Sequence, residues 1–476
     1  MDTGRLTLLF HTIKYLKLKQ VYYRVYYTLR NRFFKRSYDS PLRNTVQPLF
    51  WMDSFLYSDS FYGDGKFVFL NLSHQFENEI DWNFSEFGKL WTYNLNYFDF
   101  LNQEHIVQED GLRLIEDHIR QNRMLMDAKE PYPISLRGIN WIKFLSKHKI
   151  QNQEINQALF NDYNRLTHNI EYHLLGNHVL ENGFALFFGA YYFQNETFYK
   201  KAEQILTKEL RRQVLHDGAH FELSPMYHQI MLHRLLDCIA LEMGNPWNKT
   251  GFEAFLREIA VQMLSWLQTV TFSSGNIPMV NDSAYAIAPK SNQLFEYGKN
   301  LGVEWKSSSL SDSGYRKYHG DRYELFVDVG NVGPTYQPGH AQADTFSFEL
   351  YCDGQPIVVD TGVSTYEKDE LRQKQRGTSA HNTVVVDGID QTQVWGGFRV
   401  AKRAKISNLK EGANEVKATH NGYKNLNILH TRTFKTKNAE VQIIDTLSKG
   451  KTDKQKAFIH LHPRVGGTKI NLDQKS

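Results

Sequence analysis

Cysteine is almost absent: Cys238 and Cys352 are the only two in 476 residues, and both lie beside apolar neighbours. They cannot form a disulfide framework, which suits a reducing compartment without requiring one. No run of about 18 apolar residues occurs, so no membrane-spanning helix is predicted. The opening stretch "MDTGRLTLLFHTIKYLK" has a short apolar core and no small-residue cleavage site. It does not read as a secretory signal, and a cytoplasmic or envelope-associated location is the expectation. Zinc knuckles, helix-turn-helix patterns and RNA-binding signatures are missing, which argues against a nucleic-acid partner. The net charge is only +4. Long-range steering of a polyanion would therefore be feeble, and an acidic substrate must be met by local groups.

Aromatic residues are plentiful, with 26 Tyr, 31 Phe and 8 Trp. That is more than a core requires, and rings with polar handles commonly line carbohydrate clefts; a well-packed core is the plainer alternative. Charge is unevenly placed. Residues 1–50 hold ten Lys and Arg against two Asp, +8, which leaves −4 for the rest of the chain. The segment "HTIKYLKLKQVYYRVYYTLRNRFFKR" interleaves basic and aromatic residues with partial helical periodicity. It suits peripheral contact with an anionic membrane or a partner, against the plainer expectation of a packed helix with a solvated basic face.

The length suggests roughly two to three domains. From 85 to 304, apolar positions recur three and four apart in successive segments such as "GINWIKFLSKHK", "NGFALFFGAYYF" and "GFEAFLREIAVQMLSWLQTV". Many amphipathic helices with short breaks predict an incomplete α/α toroid. From 305 to 476 the period changes to two, with Gly, Asn and Asp at the turns, which predicts an antiparallel β-sandwich that is small or incomplete. Asp353-Gly354 is the best hairpin signal. Residues 1–84 form a basic, aromatic lead into the toroid. The fold class is therefore α+β and multidomain.

Three clusters could carry chemistry. In "GNHVLENG", Asn177, His178 and Glu181 are spaced to share one helix face. In "GAHFELSPMYHQ", Ser224 is a good N-cap and Pro225 fits the first helical position, so Tyr227 falls in the first turn, where the amide dipoles favour a phenolate. In "GHAQADTFSFEL", His340, Gln342 and Asp344 share the direction of the buried phenylalanines if the segment is a strand. Gln342 with Asp360 of "VVDTG" and His381 of "GTSAHNTVVVDG" is a candidate ligand set for zinc. A turn at Asp353-Gly354 places Asp360 opposite Ser347, however, so metal binding would need a bend after Gln342. A metal-free hydrogen-bonded network is the competing reading.

These motifs in this order, with "LWTYNLNYFDF" (90–100) and "PYPISLRGINWIKFL" (131–145) upstream, resemble the heparinase II/III family of polysaccharide lyases over about residues 85–465. The resemblance implies β-elimination from a uronic-acid-containing glycan. It implies Asn177, His178 and Glu181 as the set that binds and neutralises the uronate carboxylate, Tyr227 as base, acid or both, and His340 as its partner. Around the groove it suggests Asn96, Tyr97, Arg137, Asn140 and Trp141 as substrate contacts. Family members often carry histidine where this chain has Gln342, and a carboxamide is a poorer zinc ligand, so the implied metal site is weakened. Two other readings remain open: a non-catalytic glycan-binding or surface-polysaccharide assembly protein, and a hydrolase using two carboxylates such as Glu181 and Glu222.

Overall fold

The computed structural model describes residues 3–465 apart from Lys35, Lys249, Lys451 and Asp453; the end of the expected sandwich, 466–476, lies outside the described residues. Two helices come first, α1 (Thr3–Ile13) and α2 (Leu18–Phe33), followed by a small hairpin of β1 (Lys66–Phe69) and β2 (Leu72–Gln75). The toroid follows as α3 (Lys89–Tyr97), α4 (Gln108–Arg120), α5 (Pro131–Lys147), α6 (Gln153–His168), α7 (Asn177–Phe193), α8 (Glu196–Gln213), α9 (Pro225–Gly244), α10 (Phe252–Val270) and α11 (Ser291–Asn300). Helix starts follow capping chemistry. Asn152 and Asn195 each accept two backbone N–H bonds at the starts of α6 and α8, and Ser224 caps α9 with Pro225 at its first position. Helix α7 is apolar nearly all round and is buried along almost its whole length, packed by α5, α8 and α9.

The strand region contains two four-stranded antiparallel sheets. The inner one has β3 (Tyr315–His319), β4 (Tyr323–Asp328), β5 (Phe348–Cys352) and β6 (Gln355–Val358) in sequential order. Short pieces follow: α12 (Glu370–Arg376), β7 (Val384–Val386), β8 (Val394–Trp395) and β9 (Arg399–Val400). The outer sheet is β10 (Ile406–Gly412), β11 (Glu415–His420), β12 (His430–Lys437) and β13 (Glu440–Leu447), and β14 (Gln455–Ala457) pairs with β7. Asp353 and Gly354, both at positive φ, make the β5–β6 turn as the sequence predicts.

Every residue of β4 is buried, and its alternation explains why. Tyr323, Leu325 and Val327 pack with Phe346 and Phe348 against Val416, Ala418 and Phe434 of the outer sheet. Phe326, on the opposite face, joins Tyr315 and Tyr351 against Leu223, Trp266, Val270 and Phe272 of the helical domain. The rings of Phe272 and Tyr351 stack at 3.8 Å, and Tyr315 Oη donates to the Leu223 carbonyl at 2.6 Å. A sheet clamped on both faces in this way fixes the β domain against the helix carrying Tyr227.

One expectation needs correction. Residues 339–347 are not strand: β5 begins at Phe348, and Phe346 takes a left-handed φ of 72°. The backbone there bonds to neighbouring loops, with Arg376 donating to Ala341 O and accepting from Ala343 N through its own carbonyl, so no ladder forms. His340 and Gln342 still turn the same way, both onto Asp282, whereas Asp344 lies in the field of Asp328 and Asp360.

Candidate functional site

Ser224 sets the geometry where the domains meet. Its Oγ accepts from Tyr227 N at 3.3 Å, capping α9, and donates to the Asp282 carbonyl at 2.8 Å. One hydroxyl thus positions both the helix turn that carries Tyr227 and the loop that carries Asp282. Asp282 N in turn donates to His340 O at 3.0 Å, tying the β-domain loop to the same point. The outcome is a stacked pair: the Tyr227 and His340 rings lie 3.9 Å apart at 29°.

His340 is oriented by a buried carboxylate. Its Nδ1 lies 3.1 Å from Asp282 Oδ2, and Arg372 of α12 grips the same carboxylate with bonds of 2.6 and 2.5 Å. Gln342 Nε2 adds a third donor at 3.0 Å. Burial opposes charge on Asp282, but the His340 hydrogen bond and Arg372 outweigh it and hold the pKa down at about 2. An anionic Asp282 fixes the proton of a neutral imidazole on Nδ1 and leaves the Nε2 lone pair available. Glu222 Oε2 is 3.7 Å from Nε2, beyond hydrogen-bond reach.

At Tyr227 burial and the helix start act in opposite directions. Burial pushes its pKa well above the ordinary tyrosine value, and Asp282 and Glu222 add to that; the hydrogen bond shared with Tyr366 Oη at 3.3 Å, which the Tyr227 oxygen accepts as a phenolate, and Arg372 oppose it without reversing it. The helix start does not overcome desolvation, so the resting side chain is a phenol and a proton donor. Tyr366 stacks with Phe398 at 5.9 Å, and Phe398 stands edge-on to His340 at 6.4 Å, giving the site an aromatic wall.

On the toroid side, the start of α7 supplies donors. Gly176 has φ +63°, and a Cβ there would lie 2.5 Å from Glu222 Oε1, so only glycine lets Glu222 reach the helix end. Glu222 accepts from Asn177 N at 3.0 Å and Asn177 Nδ2 at 3.1 Å. His178, half-buried, has its Nδ1 3.1 Å from Glu171 Oε1, and Glu171 is held by Asn182. Burial disfavours charge on His178, yet Glu171, helped by Glu222 and Glu181, overrides it and raises the pKa. The Tyr132 ring lies 4.6 Å from the His178 ring and 5.9 Å from Tyr97, and Tyr227 is among its ionisable neighbours.

Other expected residues lie elsewhere. Glu181 is fully buried beside Arg234, at 3.5 Å, and burial raises its pKa to about 7 despite that arginine. Asn96 bonds to Trp82 O and Thr92 O inside the toroid. Arg137 is buried on Asp162 and Ala128 O, Asn140 is satisfied by Tyr97 O, Asp99 and Asn102, and Trp141 packs on Phe98. All four are interior: Asn96 is buried on α3, and α5, which carries the other three, is covered along most of its circumference. Sequence reasoning missed Asp282, Arg372, Tyr366, Glu171 and Tyr132, and it placed Glu222 only in the hydrolase reading. The one local hint was the turn-forming Asn281-Asp282 pair.

The zinc set does not converge. His381 Nδ1 lies 3.1 and 3.0 Å from the two oxygens of Asp360, so the two groups are bonded to each other, and Ser347 donates to Asp360 at 2.9 Å. Gln342 turns to Asp282 and Asn281 O in a separate network, leaving its Oε1 without a protein partner, as is His381 Nε2. Among the described residues no group of three or more His, Cys, Asp or Glu could hold a metal. Burial opposes charge on both partners, but each holds the other ionised, raising the pKa of His381 and lowering that of Asp360. Asp360 and His381 alone fall short of the three protein ligands that a zinc site takes.

Residues 134–302 match the family model described as Heparinase II/III N-terminus, and residues 303–476 match that described as Heparinase II/III-like, C-terminal. A heparin-sulfate lyase of Pedobacter heparinus is 28% identical over 208 residues, 38% of this chain and 31% of the relative. One of Bacteroides stercoris is 27% identical over 327 residues, 61% of this chain and 46% of the relative. The matches thus span about a third to a half of these curated relatives. The crystal structure of heparinase III superposes with a TM-score of 0.57 at 19% identity, covering 78% of this chain and 65% of that one. Heparan sulfate lyase from Pedobacter heparinus gives 0.51 at 18%, covering 80% and 66%.

Proposed function

The chain belongs to the heparinase II/III family, and from that premise we propose that it is a polysaccharide lyase cleaving a uronic-acid-containing glycan by β-elimination at the Tyr227–His340 site. The observation that carries the reading is the stacked phenol–imidazole pair, one ring from each domain, with the imidazole oriented by a buried ionised carboxylate. His340 Nε2 takes the proton from the carbon beside the uronate carboxylate. The electron pair of that C–H bond becomes the new C=C bond, and the bond to the glycosidic oxygen breaks with its electrons on oxygen. The Tyr227 phenol supplies the proton that this oxygen needs, so the products are an unsaturated uronate and a free hydroxyl.

Removing that proton is costly while the adjacent carboxylate is anionic, because the intermediate gathers further negative charge there. The α7 start offers His178, held toward its charged form by Glu171, and the Asn177 carboxamide as neutralising donors. Glu181 lies behind them, beside Arg234, and contributes to the field at His178. Tyr97, Tyr132, Tyr366 and Phe398 supply rings on which a sugar face can rest.

The test is a panel of uronic-acid polymers, headed by heparin and heparan sulfate because the relatives bear those names, followed by ultraviolet absorbance of the unsaturated product. Growth that is nearly abolished in both Tyr227→Phe and His340→Ala supports the assignment. New reducing ends without absorbance would make the protein a hydrolase, and retention of polymer without either would make it a binding protein.

A further inference from the structure

Helix α2 is amphipathic in the reverse of the usual sense. The face docked on the toroid is polar and tyrosine-rich: Gln20 is buried and donates to Leu174 O and Gln337 Oε1, Tyr27 donates to Ile170 O at 2.7 Å, and Arg30 donates to His168 O at 2.7 Å. The face turned to solvent is apolar. Leu18 (88% exposed), Val21, Tyr22, Val25, Leu29 and Phe33 (66%) recur three and four apart along about 24 Å of helix. Helix α1 repeats the arrangement: Thr12 binds it to the β8–β9 hairpin through Val400 O and Trp395 Nε1, while Leu6, Phe10 and Ile13 stay exposed. A folded protein rarely leaves so long a row of apolar side chains in water unless something covers it.

Charge identifies the cover. Between Asp2 and Asp39 the chain has nine Lys and Arg and no acidic residue, although the remainder beyond residue 50 is net negative. Arg24 lies at the edge of the exposed row, and Arg32 lies within its arc in the last turn of the helix. An apolar row bordered by cations and rich in Tyr and Phe matches the interfacial zone of an anionic bilayer, where the rings enter the headgroup boundary and the cations meet phosphate. Among the described residues no helix is long and apolar enough to cross a membrane, so contact of this kind would lie in the surface plane. We propose that α1 and α2 form an in-plane docking surface for an anionic lipid membrane. The contact reaches the catalytic wall, because the hairpin on which α1 rests carries Phe398 at its turn.

Flotation of the full chain with vesicles tests this. Vesicles with about 30% phosphatidylglycerol should bind on the order of tenfold more tightly than phosphatidylcholine vesicles, and about 1 M salt, which screens charge beyond about 3 Å, should remove that preference. Val21→Ser/Val25→Ser/Leu29→Ser should abolish binding to both while leaving the thermal midpoint unchanged, since all three side chains are exposed. Arg24→Glu/Arg32→Glu should remove the anionic preference alone. No flotation of the wild-type chain, or equal flotation of the triple-serine variant, would overturn the proposal. So would concentration-dependent dimerisation without lipid that the serine variant abolishes, which would assign the face to a second copy.

Discussion

Replacing Asp282 with Asn keeps the shape of the side chain and removes its charge, which makes it the sharpest probe of how His340 is held. Each carboxylate oxygen takes two donors: Arg372 Nη1 and Gln342 Nε2 on Oδ1, Arg372 Nη2 and His340 Nδ1 on Oδ2. A carboxamide can accept at only one end. If its NH2 faces Oδ1's donors, it opposes Arg372 and Gln342; if it faces Oδ2's, it donates to His340 Nδ1 and drives the imidazole proton onto Nε2, the nitrogen that must stay open. In either pose Arg372, 1% exposed, loses its counter-charge. Breaking one side of such a buried pair costs about 3–5 kcal/mol, and a wrong imidazole tautomer lowers kcat by on the order of 10⁴-fold in the serine-protease precedent. Denaturant midpoints and elimination rates should therefore fall together, and the residual activity should rise with pH further than in wild type, as hydroxide competes for the task of the base. An Asp282→Asn enzyme within about threefold of the wild-type rate would show that Asp282 does not set the imidazole and would refute the assignment of Nε2 as base.

His178→Gln should lower kcat/KM and remove the alkaline limb of its pH profile. The raised His178 pKa means that the charge is complete below the ordinary histidine value and is lost as pH climbs through the folded value; an unchanged limb in the variant would detach His178 from carboxylate neutralisation. Glu181→Gln tests a different titration. With its pKa moved from 4.5 to about 7, the wild type should lose about 3 kcal/mol of stability as pH rises through that window, and urea midpoints at pH 5 and pH 8 should converge in the variant; an unaltered difference would count against the burial of an uncompensated carboxyl. Arg137→Ala should cost about 3–5 kcal/mol in stability with KM unchanged, because its guanidinium is spent inside on Asp162 and Ala128; a large KM effect in a stable variant would return Arg137 to the groove.

The parts of this site that were legible in the sequence are those that local rules determine. Ser224-Pro225 announces a helix start, and that alone brings Tyr227 into its first turn. The change of apolar period near residue 305 separates helices from strands, and Asp353-Gly354 marks its hairpin. What spacing cannot supply is the identity of whatever covers a given face. Arg137, Asn140 and Trp141 have the residue types of a sugar-binding groove, but α5 is enclosed, so the polar groups of Arg137 and Asn140 satisfy the turn at 97–102, the Ala128 carbonyl and Asp162, and the Trp141 ring packs on Phe98. Asp282 shows the converse: a loop residue of no distinctive pattern, it gains its role only because α9, α12 and the loop at 340 converge on it. At Tyr227 the sequence shows only the helix dipole, a local quantity, whereas the burial that pushes its pKa up depends on what packs over it.

That convergence makes the packing between domains part of the chemistry. Phe272 on Tyr351 and Tyr315 on Leu223 hold the inner sheet against the toroid, and in that docked position His340 and Arg372 reach Asp282 and Tyr227 stacks on His340. Separating the domains by even the depth of one water would hydrate Asp282, weaken its hold on Arg372 and His340, and restore Tyr227 toward an ordinary phenol. A substitution in the apolar contact, such as Phe272→Ala, removes a buried ring at a cost of about 3–5 kcal/mol, and it touches none of the reacting groups. It should nevertheless lower the elimination rate and shift the pH profile in the same direction as Asp282→Asn, whereas an apolar truncation of equal cost deep in the toroid, such as Phe187→Ala, should lower stability and leave the profile in place. If the two truncations give the same pH profile, the interface stabilises the fold without tuning the site.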